Sequence, residues 1–109
     1  MTKKQLDEVC EKQGWSVTIF KDYVQFENWS PCGQDLIVEI NCDSLDELPD
    51  KMTEYWESYD PSQEAYYWLG SDGHGKNGAP DTMGEVYKDM VACEKMIEDL
   101  AIALHQIER

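Results

Sequence analysis

Four cysteines, two histidines and a concentrated set of carboxylates are the groups in this 109-residue chain that could do chemistry. Cys10, Cys32, Cys42 and Cys93 contain no C-x-x-C pair, and only His74 and His105 add further soft ligands. That spacing gives no zinc pattern and no local cysteine–histidine pattern for nucleophilic catalysis. Cys10 and Cys93 fall on apolar helix stripes and read as core. The run Gly70-Ser71-Asp72-Gly73-His74-Gly75-Lys76-Asn77 nearly matches the phosphate loop G-x-x-x-x-G-K-[ST]. Asn77 lacks the metal-binding hydroxyl, a helix precedes where a strand is required, and Gly78-Ala79-Pro80 prevents the helix that should follow. Asp72 would also repel phosphate. The same run fails as a calcium loop, because His74 takes a ligand position and no Glu closes it. Carboxylates beside aromatics also describe sugar sites, but glycoside hydrolysis needs a cleft that so short a chain has little material to build. The expectation is a non-enzymatic protein without cofactor or metal.

What remains is the distribution of charge. The chain has 23 acidic and 9 basic residues and a formal charge of −14. Residues 22–72 hold thirteen acids against Lys51 alone, so a net −12 sits in that stretch. A concentrated field repels itself, which favours a role toward a partner over a simple solubility device. Within the band, Glu47, Asp50, Glu54 and Glu57 recur at helical spacing, opposite a stripe of Leu45, Leu48, Met52, Tyr55 and Tyr59 with Trp56 at its edge. Four carboxylates would span roughly 15 Å, with about 5 Å of rise between neighbours. Each strand of duplex DNA carries a phosphate about every 3.4 Å, a row of similar density. Beside this row, Tyr55, Trp56, Tyr59, Tyr66, Tyr67 and Trp68 interleave with Glu54, Glu57, Asp60 and Glu64. If Ala65, Trp68 and Leu69 face the core, Tyr66 and Tyr67 cannot both do so. Exposed Tyr beside carboxylates suits an arginine-rich surface. The candidate partner-binding set is therefore Glu47, Asp50, Glu54, Glu57, Asp60, Glu64, Tyr66 and Tyr67.

The elements that must position these residues follow from period and capping. Thr2 with Gln5 forms a capping-box pair opening a short helix over about residues 3–13, which Gly14 stops. Trp15, Val17 and Ile19, then Val24 and Phe26, alternate with polar residues and predict a hairpin. After a loop over 28–34, a third strand puts Leu36, Val38 and Ile40 on one face and Ile37, Glu39 and Asn41 on the other. Ser44 with Glu47 is a second capping box, and Pro49 leaves the helix start open between Leu45 and Glu47. That helix runs to about Tyr59. Asp60-Pro61 caps another, which extends to Leu69 and is stopped by Gly70. Residues 71–80 read as a Gly-rich loop. Thr82 with Glu85 is a third capping box, opening a helix that runs to the C-terminus. Its apolar positions Met83, Val86, Met90, Cys93, Ile97, Leu100, Leu104 and Ile107 form an uninterrupted heptad seam. Either the helix covers the sheet, or its C-terminal half pairs with a second copy. The fold expected is a single α+β domain: a short helix, a three-stranded antiparallel sheet, and covering C-terminal helices with one long amphipathic member.

No stretch approaches the roughly 18 apolar residues of a membrane span, and Met1-Thr2-Lys3-Lys4-Gln5 leads straight into charge, unlike a signal peptide. Reduced, cytosolic thiols are therefore expected. A sequence pI near 4.2 argues against direct contact with nucleic acid or anionic lipid. Trp29-Ser30-Pro31-Cys32-Gly33-Gln34-Asp35 before a strand, Tyr59-Asp60-Pro61 before a Trp-containing helix, and Gly78-Ala79-Pro80 resemble small acidic proteins of bacterial phages, plasmids and conjugative elements. The similarity covers most of the chain after residue 15, and its motifs are turn signals. Some such proteins are anti-CRISPR or anti-restriction proteins, several of them DNA mimics. The resemblance implies inhibition by binding in a bacterial cytoplasm, with a basic partner such as a Cas9-type CRISPR nuclease and no catalytic residues. Two other expectations stand beside it: a homodimeric regulatory or structural protein joined by the last helix, and an antidote to a basic toxin or ribonuclease.

Overall fold

The alternating segment closes into a three-stranded antiparallel meander, β1 (Ser16–Ile19), β2 (Tyr23–Trp29) and β3 (Asp35–Asn41), in the order β1-β2-β3. The register sets Val17 opposite Phe26, Phe26 opposite Val38, and Val24 opposite Ile40, so these side chains share the inner face. Val24, Phe26, Val38 and Ile40 are buried there, with Leu36 and Trp15. Ile19 departs from the expected pattern: it lies on that face but at the hairpin end, where it stays exposed. This computed structural model describes residues 1–70 and 82–107, without the side chains of 68–70. The Gly-rich segment 71–80 with its phosphate-loop likeness, and the side chains of Trp68 and Leu69, lie outside the described residues.

Four helices cover the inner face of the sheet: α1 (Lys3–Lys12), α2 (Leu48–Ser58), α3 (Pro61–Gly70) and α4 (Met83–His105). The architecture is α+β, as the periodicity predicts. Thr2 and Gln5 form the reciprocal capping box of α1, with hydrogen bonds of 3.1 and 2.8 Å. Its other end is a Schellman closure. Gly14 takes φ +79° while its own N–H donates to Glu11 O and that of Trp15 to Cys10 O. That turn swings Trp15 into the core.

The long helix is the cover. Val86, Met90, Cys93, Ile97, Leu100 and Leu104 are all buried, with Asp89 and Ala101 beside them, and α1, α2 and α3 pack along α4. The heptad seam is thus filled within one chain. Its two ends differ from expectation: Met83 is exposed, and the helix stops at His105, leaving half-buried Ile107 beyond its last turn. No helix among the described residues is long and apolar enough to cross a membrane.

Candidate partner-binding surface

The open question of Pro49 resolves into two consecutive helices. Ser44 caps a single 3-10 turn, Leu45–Glu47, and α2 begins only at Leu48. Pro49 then falls in the first turn of α2, where its missing N–H removes no helical bond. Leu48 and Met52 are fully buried and Tyr55, Trp56 and Tyr59 half-buried, so the apolar stripe faces the core as its spacing predicts.

On the outward side, Asp50, Glu54 and Glu57 are exposed. Glu47 belongs to the fold instead. Its Oε2 accepts the N–H groups of Asp43 and Ser44, both at 3.0 Å, and Oε1 pairs with Lys51 at 3.2 Å. The Lys51 ammonium first, then those backbone donors, hold its carboxyl below the usual range. Lys51 itself also donates to Asn41 O at 2.8 Å. The row that faces solvent therefore has three carboxylates spaced four and three residues apart, about 10 Å in all. Beside it stands His105, whose Nε2 lies 3.8 Å from Asp50 and 2.9 Å from the Thr53 hydroxyl.

Asp60, the next acid along, is an N-cap: its Oδ1 accepts from Ser62 and Gln63 N–H at 3.0 and 3.4 Å, which starts α3. Glu64 lies away from the row. It lines a cleft of about 110 Å³ at the edge of β3, with Asp35, Ile37, Tyr55, Tyr59 and Met90 among its walls. Burial first, then the charge of Glu64, raises the Tyr55 phenol above its usual range, and burial, then Cys93 and Glu64, raises that of Tyr59, so both stay neutral hydroxyls beside a carboxylate. Tyr59 donates to the sulfur of Met90 at 3.5 Å. Tyr66 and Tyr67 are 70% and 59% exposed, and the Tyr67 hydroxyl accepts from Gln63 Nε2 at 2.7 Å. The eight expected residues thus divide: three form an outward row, Glu64 lines a cleft, Tyr66 and Tyr67 stand on α3, and Glu47 and Asp60 serve the backbone.

The sequence counted Glu27, Asp35 and Glu39 in the acidic band without bringing them together. Antiparallel register does so, on the outer face of the sheet. Period two within each strand was the available signal; the alignment between strands was not. The turn joining β2 to β3 is built by its own residues. Buried Ser30 accepts Gln34 N–H on Oγ at 2.9 Å, Gly33 sits at φ +87°, and Cys32 N–H donates to Asp89 Oδ1 on α4 at 3.1 Å. Burial first, then nearby Asp89 and Cys32, pushes the Cys93 thiol up to about 12, and Cys10 is likewise raised to about 12, mainly by burial. Neither thiol is then a ready nucleophile. Among the described residues, no three His, Cys, Asp or Glu side chains converge as a metal-holding group.

No family model, no curated protein and no solved structure matches this chain.

Proposed function

We propose that this chain is a non-enzymatic inhibitor that binds a basic, nucleic-acid-handling protein on the groove meant for nucleic acid. A Cas9-type CRISPR nuclease in a bacterial cytoplasm is the first partner to test. One observation carries the reading: Asp50, Glu54 and Glu57 form an exposed row on a helix whose opposite face is locked into the core. Like charges at these spacings disfavour a helix by tenths of a kcal/mol, and the one lysine of α2, Lys51, is drawn to Glu47 and Asn41 O. A row held rigidly loses little entropy when it meets cationic side chains spaced to grip phosphates. The resemblance of the turn motifs to small acidic proteins of mobile elements supports the choice of partner. A dimer through the α4 seam is less well supported, since Ile97, Leu100 and Leu104 are already buried within one chain. An antidote to a basic toxin would use the same electrostatics and differ only in partner.

The test is competition. The protein should block DNA loading by a purified Cas9-type nuclease, more weakly as salt rises. D50N, E54Q and E57Q together should weaken the block by about tenfold or more, on the order of 1.4 kcal/mol. Undiminished inhibition by the triple variant would remove α2 from the contact.

A further inference from the structure

The sheet has two faces, and the described helices lie on one. On the other, Trp29 is 52% and Ile37 46% exposed. Register sets Glu27 directly opposite Ile37 and Trp29 opposite Asp35, so Trp29 and Ile37 are diagonal neighbours, each flanked by a carboxylate. Glu39 continues the acidic row opposite Gln25. At the hairpin end, Phe20, 42% exposed, stacks on Tyr23 with ring centroids 4.6 Å apart. The three strands carry no lysine or arginine. Every charge that the strands themselves place on this face is negative, and each lies beside exposed apolar or aromatic surface.

That chemistry selects an occupant. Nucleic acid and anionic lipid are repelled. A second copy docking by a two-fold axis would set Glu27 and Glu39 against the same pair of the other copy, which costs free energy. Arginine satisfies both halves of the pattern. Its guanidinium stacks on an indole or phenol face while donating two parallel hydrogen bonds to a carboxylate. Lysine offers a compact charge without the flat surface.

Size decides how far the contact must extend. Three strands of this length present roughly 14 by 23 Å, about 300 Å². A stable interface takes about 800 Å² from each partner. The sheet face alone is therefore too small. Asp35 and Ile37, however, also line the cleft that Glu64, Tyr55 and Tyr59 line. The acidic, aromatic surface continues over the β3 edge into a recess of about 110 Å³. We infer that the outer sheet face, continued into the Glu64 cleft, is a docking surface for an arginine-bearing segment of the basic partner. This rests on the proposed reading that the partner is basic, and it moves the anchor of the contact from α2 to the sheet.

The experiment uses the full chain, labelled with nitrogen-15, titrated with acetylated nona-arginine and separately with nona-lysine at about 0.15 M salt. The expected result is saturable binding that shifts the Trp29 indole and the Glu27, Ile37 and Glu39 amides, with arginine preferred by about threefold or more. E27Q with E39Q, which leaves every apolar contact in place, should weaken the arginine peptide by about tenfold. W29A should remove the preference for arginine over lysine, its fold being checked by circular dichroism. Shifts confined to α2, equal affinity for the two peptides, or absence of saturable binding would each overturn the inference. Failure of the wild-type protein to block the nuclease would count against the proposed function instead, because the peptide map does not depend on it.

Discussion

Asp89 is the one buried carboxylate among the described residues, and it holds a turn to a helix. Its Oδ1 accepts the Cys32 N–H at 3.1 Å, while buried Oδ2 has no hydrogen-bond partner among the described residues. A hydrogen bond to a charged acceptor contributes about 1.5–3 kcal/mol, offset here by the desolvation of the second oxygen. D89A should therefore lower unfolding stability by up to about 2 kcal/mol, measured by urea denaturation. D89N keeps a carbonyl for Cys32 and removes the buried charge, so it should lose less than half as much. If alanine matches the wild type, the Ser30 hydrogen bonds hold the turn without help from α4. Glu47 gives the complementary test by pH. Its folded-state pKa lies below the usual 4.5, chiefly through Lys51. Its contribution is then fully present above that value and lost as pH falls through the folded value. E47Q should be less stable than wild type at neutral pH and should flatten the loss of stability below about pH 4.5. Parallel acid limbs in the two proteins would show that the Lys51 pair contributes nothing.

The α4 seam separates what spacing can and cannot tell. Ile97 is fully buried and Ile102, five residues on, is 48% exposed. I97A should cost about 2–5 kcal/mol through the lost contacts and the cavity left behind, whereas I102A should stay within about 0.5 kcal/mol. Sedimentation of the two variants should show the same species as wild type if the seam serves only the monomer. A three–four repeat looks the same whether a helix lies on its own domain or on a copy, because periodicity records that a face is buried and not what buries it. Local signals were legible for the opposite reason. The Thr2–Gln5 box, the Gly14 closure and the Asp60 cap each satisfy backbone groups within a few residues, so their chemistry is written in adjacent letters. Pro49 was ambiguous because a 3-10 turn before α2 satisfies the capping pattern without starting the α-helix. The same turn engages Glu47, which a helical wheel cannot distinguish from Asp50. The outer-face grouping of Glu27 with Ile37, and the cleft around Glu64, depend on strand register and on how α3 meets β3. Those are tertiary facts.

At the scale of the whole molecule, −14 charges in 109 residues should make folding and binding respond to salt with opposite signs. In the folded chain Asp50, Glu54 and Glu57 crowd one helix face, and Glu27, Asp35 and Glu39 one sheet face. Unfolding relieves that crowding by letting the carboxylates separate. At about 0.01 M salt the screening length is about 30 Å, longer than either face, so these groups repel across the surface. At about 0.15 M it falls to about 8 Å, and only the nearest neighbours still interact. Raising salt between those limits should therefore raise the thermal midpoint of the isolated protein by several degrees. Neutralising the α2 row with D50N, E54Q and E57Q should remove part of that rise and leave the remainder to the sheet face. Association works the other way. A cationic partner gains from the unscreened field, so the same increase in salt should slow its on-rate and weaken its affinity. Calorimetry on the free protein and binding measurements across the same salt series would test both signs. A thermal midpoint that falls as salt rises would mean that attractive pairs such as Lys51–Glu47 and Lys95–Asp99 outweigh the repulsion, and that the carboxylates are not crowded enough to favour a cationic partner.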